Sequence, residues 1–278
     1  MHKILSFFLC TFYITGCGAH GWNQLNGDSF LPVDQFLYVQ KKTTAQNCIK
    51  IQENLNIDGI PLVVNEVSCI THVFRSSASA FIVGKSRPDG SYAITAAHVC
   101  SDKQYYNMMK DLPGRTKITT DYTLTLTNGK KYKAKALSYE YDIDICMMYV
   151  KSLTDMDPVE LARRKPNIGD KIYNIGAPLG VFQPGMVPIM EGRFSGDHPT
   201  QPYALYSLPA APGSSGSMIL NHKGRLIGVV HSVYIRFPHL TISVQFKDVK
   251  RFVKYSIKHF ETYKQTMHKL KLKNIFKI

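Results

Sequence analysis

Short runs of apolar and β-branched residues, separated by polar or glycine-containing segments, recur along the chain between residues 69 and 246. Such runs predict β-strands, whose successive side chains face opposite sides of a sheet. Asn128 and Gly129 separate two alternating runs, and both tolerate the positive φ of a tight hairpin turn. The predicted strands are Cys69–Phe74, Ala78–Val83, Tyr92–Ala97, Tyr122–Leu126, Tyr132–Leu137, Ile143–Val150, Lys171–Ile175, Met218–Leu220, Leu226–Val233 and Thr241–Phe246.

The last part of the chain has a helical period. Apolar residues recur at Phe252, Val253, Ile257 and Phe260, and residues 247–278 contain ten Lys or Arg against two acidic residues. This pattern predicts a basic amphipathic α-helix. We favour a helix that packs its apolar face on the domain with its charges in water. The alternative is a helix that rests on an anionic membrane surface.

The first residues resemble a targeting segment. Lys3 precedes an apolar run, Ile4–Ile14, which has the length of a signal-peptide core and is too short to span a bilayer. The sequence from Ile14 to Cys17 resembles the lipobox of bacterial lipoproteins, which implies acylation of Cys17 and an exported protein anchored to a cell-envelope membrane. The alternative is an ordinary signal cut near Ala19, which would leave a soluble secreted or periplasmic chain.

Length and composition indicate one large folded unit. The chain has 278 residues, of which 44% are hydrophobic and 19% charged, so it can bury a substantial core. The net charge of +14 is not accompanied by a nucleic-acid recognition motif. We therefore expect no nucleic-acid partner.

Three short stretches carry side chains suited to nucleophilic catalysis, in the order His98, Asp144 and Ser215. A serine hydroxyl attacks poorly unless an imidazole takes its proton, and a buried carboxylate must hold that imidazole in one tautomer. Ser215 lies within Gly-Ser-Ser-Gly, where glycine allows a tight turn. The N–H groups of Gly213 and Ser215 can then converge on an oxyanion.

Longer segments around these residues resemble the trypsin-like domain of HtrA/Deg-type serine proteases. They are Ala93–Val99, Gly169–Gly180, Ser215–Gly228 and Thr241–Val253, and the likeness covers roughly residues 68–260. The resemblance implies an all-β fold of two six-stranded antiparallel β-barrels with a C-terminal α-helix, and an active site between the barrels. It also implies a serine endopeptidase that hydrolyses protein or peptide substrates through an acyl-enzyme.

The resemblance sets the expected domain boundaries. We expect a signal peptide, a tether with a lead-in segment, a protease domain and a basic tail, at 1–16, 17–60, 61–262 and 263–278. No PDZ domain is expected, because 18 residues follow residue 260. The alternative to an enzyme is a catalytically idle protease fold that acts as a binding module on the cell surface.

Two aspartates are candidates for the orienting carboxylate. Asp142 and Asp144 lie two residues apart in a predicted strand, so both would point to the same face. We choose Asp144, because it directly precedes the apolar run 145–150, as the corresponding aspartate does in the family that the chain resembles.

The resemblance also places a specificity pocket. Pro209 would form its base with Ala210 beside it, and Val230, His231 and Ser232 would form a wall. No acidic residue stands there to pair with a substrate Lys or Arg, so we expect cleavage after small or medium apolar residues. His231 would instead favour an acidic residue, as in glutamyl endopeptidases, although a gapless match places their histidine at Val230.

Four cysteines follow the N-terminal segment: Cys48, Cys69, Cys100 and Cys146. An exported protein can form disulfides, and these cysteines allow three pairings that the sequence does not rank. Cys146 lies in an apolar run and is alternatively a small buried hydrophobic residue. No group of residues has zinc-ligand spacing, so we predict no metal and no cofactor.

Overall fold

The computed structural model describes the backbone at residues 24–25, 29–57, 60–234 and 236–275, and side chains at 31–52, 65–234 and 236–262. The predicted signal peptide (1–16) and the candidate lipidation site Cys17 lie outside the described residues. In the described part of the chain, no helix is long and apolar enough to cross a membrane.

Two closed antiparallel barrels of six strands each form the body of the protein, in the orders β3-β4-β5-β8-β7-β6 and β9-β10-β11-β14-β13-β12. A short pair, β1 (Gln24–Leu25) and β2 (Ser29–Phe30), precedes them. The first barrel contains β3 (Phe36–Ile57), β4 (Ile60–Arg87), β5 (Gly90–Thr95), β6 (Arg115–Leu126), β7 (Lys131–Glu140) and β8 (Ile145–Lys151). The second contains β9 (Lys171–Ile175), β10 (Ile189–Asp197), β11 (Tyr203–Ser207), β12 (Met218–Asn221), β13 (Leu226–Tyr234) and β14 (Phe237–Val244).

The helices are α1 (Ala97–Cys100), α2 (Lys103–Met109) and α3 (Phe246–Ile275), with 3-10 turns at Val33–Gln35 and Pro178–Gly180. The predicted fold class, two six-stranded barrels with a C-terminal helix, is confirmed. The predicted hairpin turn is present as well: Gly129 has a φ of 86° between β6 and β7.

Apolar side chains fill three regions. One lies inside the first barrel around Leu124, and one inside the second around Ile227. The third joins residues of both barrels with the buried face of α3, and includes Phe81, Ile175 and Phe252. The helix therefore packs its apolar face against both barrels.

Strand β3 lies within residues 17–60, where a tether and a lead-in segment were expected, and it pairs with β4 and β6 in the first barrel. Alternate residues of β3 face inward, and several of these are polar: Lys41, Thr43 and Asn47 are all buried. Polar residues at inward positions remove the alternation that marks a strand in sequence. Helix α3 likewise continues across the boundary predicted at residue 262.

Disulfides join Cys48 to Cys69 and Cys100 to Cys146. The first links directly paired residues of β3 and β4. The second joins the end of α1 to β8, so the interpretation of Cys146 as a free buried hydrophobic residue is wrong. The sequence had left three pairings open, and strand pairing selects one of them.

Candidate active site

His98 and Asp144 meet where two neighbouring strands of the first barrel end. His98 lies in α1, just after β5, and Asp144 directly precedes β8, which pairs with β5 up to Thr95 and Cys146. Asp144 Oδ1 accepts the backbone N–H of His98 at 2.8 Å, and its Oδ2 lies 2.7 Å from His98 Nδ1. A carboxylate only accepts hydrogen bonds, so Nδ1 is the ring donor to Asp144, and in the neutral ring Nε2 is the nitrogen that can accept a proton.

The choice between the two aspartates rests on burial and contact. Asp144 is 5% exposed, whereas Asp142 is exposed to solvent. The two residues do not share a strand face as expected, because residues 141–144 form a turn and β8 begins only at Ile145. Asp144 has a φ of 52°, a conformation that costs on the order of 1 kcal/mol or more outside glycine. The turn thereby aims its carboxylate at His98.

Ser215 lies on a loop of the second barrel that is pressed against the first. Its carbonyl accepts the backbone N–H of Ser79 at 3.0 Å. The next residue, Gly216, has a φ of 83°, and a Cβ there would lie 2.8 Å from the backbone N of Ala96. Ser215 is therefore held beside the segment that leads into His98. Among the described side chains, the Ser215 hydroxyl makes no hydrogen bond to His98, as is common in active sites without substrate.

Gly213 and Ser79 tie the same loop to the first barrel. Gly213 has a φ of 97°, and a Cβ there would lie 2.9 Å from the backbone N of Gly180. The Ser79 hydroxyl donates to the Gly213 carbonyl at 2.9 Å and accepts the N–H of Ala177 at 3.0 Å. Sequence reasoning missed Ser79, since a single serine in an apolar strand carries no signal. Its role depends on two segments that lie about a hundred or more residues further along the chain.

His231 lies against the aspartate. Val230 pairs with Ser243 and Ser232 with Ile242, so His231 is the extra residue of a β-bulge, a feature that redirects a side chain. Its Nε2 lies 3.5 Å from Asp144 Oδ2. Burial lowers the pKa of His231; the negative charge of Asp144 opposes this shift, and a charge on His98 would add to it. The sequence had assigned this residue only to the wall of the specificity pocket.

Two of the other four predicted pocket residues share one apolar cluster. Ala210 and Val230 are buried in the same apolar cluster of the second barrel. Pro209 and Ser232 are partly exposed. The loop before Ser215 is held by a hydrogen bond from the N–H of Ala210 to the carbonyl of Pro238, at 3.1 Å.

Known proteins are similar to most of this chain. A family model described as a trypsin-like peptidase domain matches residues 78–229. A protein named serine protease HtrA-like from Staphylococcus aureus strain USA300 is 27% identical over 240 residues and covers 77% of this chain. The protein of that name from strain MRSA252 is 26% identical over 258 residues and covers 84%. This chain spans 28% and 30% of the lengths of these relatives.

We predict that His231 makes the folded protein less stable in mild acid. Its pKa is lowered on folding from an ordinary value near 6.5. Between the lowered pKa and about 6.5 the unfolded chain binds the proton more readily, so stability falls as pH falls through that window. The melting temperature of His231→Gln should therefore fall less between pH 7.5 and pH 5.5 than that of the parent protein.

The matched control is His222→Gln, which changes an exposed histidine at the turn between β12 and β13. It should follow the parent curve in a differential scanning calorimetry series. Parallel curves for the parent and His231→Gln would show that His231 does not contribute to the acid response.

Proposed function

This chain belongs to the trypsin-like peptidase family, whose model matches more than half of it, and on that premise we propose that it is a serine endopeptidase acting on protein or peptide substrates. The observation that carries the proposal is the pair of contacts from buried Asp144 to the backbone and ring of His98. The relatives named serine protease HtrA-like support the same activity.

In the proposed reaction the Ser215 hydroxyl attacks the substrate carbonyl carbon as His98 Nε2 takes its proton. Asp144 stabilises the imidazolium that results, because its carboxylate already faces Nδ1 at 2.7 Å. The oxygen that becomes negative would accept hydrogen bonds from the N–H groups of Gly213 and Ser215. His98 then gives its proton to the leaving amine, and an ester between substrate and Ser215 remains.

Hydrolysis of that ester repeats the steps with water. His98 Nε2 takes a proton from water as its oxygen attacks the acyl carbon, and the same proton returns to Ser215 when the ester bond breaks. Each proton thus passes through one ring nitrogen. Because Asp144 is buried and holds the other nitrogen, the ring keeps one orientation through both halves of the cycle.

We predict that Ser215→Ala, His98→Ala and Asp144→Asn each lower turnover by on the order of 10⁴ to 10⁶ while the protein stays folded. Asp142→Asn is the control and should keep near-parental activity, because Asp142 is exposed. Peptide hydrolysis and fluorophosphonate labelling of Ser215 measure the effect.

The rival function is a binding module that keeps the fold without catalysis. It is favoured by the absence of a hydrogen bond between the described side chains of Ser215 and His98. A folded protein that takes no fluorophosphonate label at Ser215 would support that rival. If instead Asp142→Asn abolished activity and Asp144→Asn did not, the orienting carboxylate would be that of Asp142, and the assignment of Asp144 would be wrong.

We predict cleavage after small or medium apolar residues. Among the proposed pocket residues, Ala210 and Val230 are apolar and belong to one buried cluster, and Pro209 and Ser232 carry no charge. A digest of a peptide library, read by mass spectrometry, should show Ala, Val or Leu before most cut bonds. Efficient cleavage after Arg would contradict this pocket, and a preference for Glu would assign His231 to substrate recognition.

We also propose that the protein is exported and held at a membrane by a lipid on Cys17. The N-terminal residues alone support this, through the apolar run Ile4–Ile14 and the lipobox-like sequence that ends at Cys17. The basic surface of α3 would add attraction to anionic headgroups.

For the full-length protein in a bacterial host, we predict partition into the detergent phase and incorporation of labelled fatty acid. Cys17→Ser should move the protein to the soluble fraction once salt exceeds roughly 0.5 M, where screening falls to a few ångströms. The parent should stay bound, since each buried CH₂ contributes about 0.8 kcal/mol. Recovery of a soluble chain beginning at His20 would identify an ordinary secreted protein.

A further inference from the structure

A polar pocket of about 540 Å³ lies on the outer face of the first barrel. Outward residues of β3, β4, β6 and β7 line it, among them Tyr38, Lys42, Arg75, Ser77, Asp121 and Lys133. Because successive side chains of a strand face opposite sides, Lys42 points to solvent while the preceding Lys41 is buried.

The pocket carries an excess of positive charge. Lys42 and Arg75 are direct cross-strand partners, and like charges in that relation repel. Lys133 Nζ lies 3.2 Å from the Thr123 hydroxyl, and among the described residues none of these three cations has a carboxylate within 4 Å. Asp121, the acidic residue of the lining, is the cross-strand partner of Lys42 on β6, and the three cations outnumber this one carboxylate.

Lys41 does not add to this excess. Its ammonium group points into the barrel, where it lies 3.1 Å from Asp102 Oδ1 and 2.6 Å from the carbonyl of Ser101. The unneutralised charge is therefore confined to the solvent side of the sheet. An anionic group bound there would relieve the repulsion between Lys42 and Arg75.

The pocket adjoins the loop that carries Ser215. A Cβ on Gly180 would lie 3.0 Å from the Ser77 hydroxyl and 3.4 Å from the Tyr38 hydroxyl, both at the edge of the pocket. A Cβ on Gly213 would in turn lie 2.9 Å from the backbone N of Gly180. Two van der Waals contacts thus separate the pocket from the proposed oxyanion site. An extended peptide, which advances about 3.3 Å per residue, crosses that distance in a few residues.

We propose that this pocket binds an acidic side chain of the peptide substrate a few residues from the scissile bond. The proposal rests on the proposed endopeptidase function and names a substrate class for it, peptides with Asp or Glu at that position. Arg75 offers paired N–H donors that match a carboxylate, and Lys42 and Lys133 add charge. The pocket is open to solvent, so each pairing should change affinity by up to about fivefold.

The test uses the parent enzyme and a neutral fluorogenic peptide with an apolar residue before the cut bond. Glu, Gln or Lys is placed in turn at each of four positions on either side of that bond. We expect Glu to raise kcat/KM by roughly five- to thirtyfold over Gln at one or two neighbouring positions. Raising the salt to 1 M should remove most of this preference, because screening then acts within about 3 Å.

Charge reversal identifies the pocket. Arg75→Glu should abolish the preference for Glu and favour Lys at the same position, as read from the ratio of kcat/KM for the Glu and Lys peptides. Lys223→Glu is the control: it makes the same change in net charge at an exposed turn of the second barrel and should leave the preference intact. Equal effects of the two variants would show that the preference comes from the positive charge of the whole protein. That result would overturn the proposed binding pocket.

A binding measurement separates this proposal from the proposed function. Fluorescence anisotropy with Ser215→Ala should show tighter binding of the Glu peptide than of the Gln peptide, and Arg75→Glu in that background should reverse the order. A flat Glu scan with normal cleavage of neutral peptides would overturn the pocket and leave the endopeptidase standing. If no peptide is cleaved but the Glu peptide binds through Arg75, the endopeptidase fails and the pocket stands.

Discussion

The buried carboxylate of Asp144 is the constraint on which the site depends. Removing a charge from water costs several kcal/mol unless hydrogen bonds replace the lost solvation. Here both oxygens are used, one by the backbone N–H of His98 and one by its ring. The same two bonds that offset burial also fix the imidazole, so the stability of this turn and the orientation of the ring are one requirement. The disulfide from Cys100 to Cys146 joins the chain two residues beyond each partner and limits their separation.

Close packing of the two barrels holds the Ser215 loop beside the segment that leads into His98. Ser79 of the first barrel contacts the Ser215 carbonyl through its N–H and the Gly213 carbonyl through its hydroxyl. Gly216 lies so near Ala96 that no side chain fits. Helix α3 adds an apolar face that packs against residues of both barrels. The catalytic proposal therefore rests on an interface whose geometry is set by small residues and backbone hydrogen bonds.

Several inward positions of the first barrel are polar, and this explains where sequence interpretation failed. Lys41 is buried and its pKa is lowered by that burial, although the neighbouring Asp102 acts in the opposite direction. Such residues obscure the strand pattern of β3, which lies in the segment expected to hold a tether and a lead-in segment. The strand β10 was missed for a related reason, since Phe194 is its one fully buried residue, whereas β11 was missed although Ala204 and Tyr206 are buried at alternate positions. A pattern of hydrophobicity finds strands only where the inward residues are apolar.

The sequence by itself determined the local features: most strands, the hairpin at Asn128–Gly129, the amphipathic helix, and the order of His98, Asp144 and Ser215 with the glycines that flank the serine. Each of these depends on a few adjacent residues, whose turn chemistry and periodicity act over one strand or one turn. Only the tertiary structure decided which cysteines pair, that His231 faces Asp144 in a bulge, and that Ser79 and a cationic pocket adjoin the serine loop. These depend on contacts between segments tens to more than a hundred residues apart, and closure of the barrels, not local sequence, sets those distances.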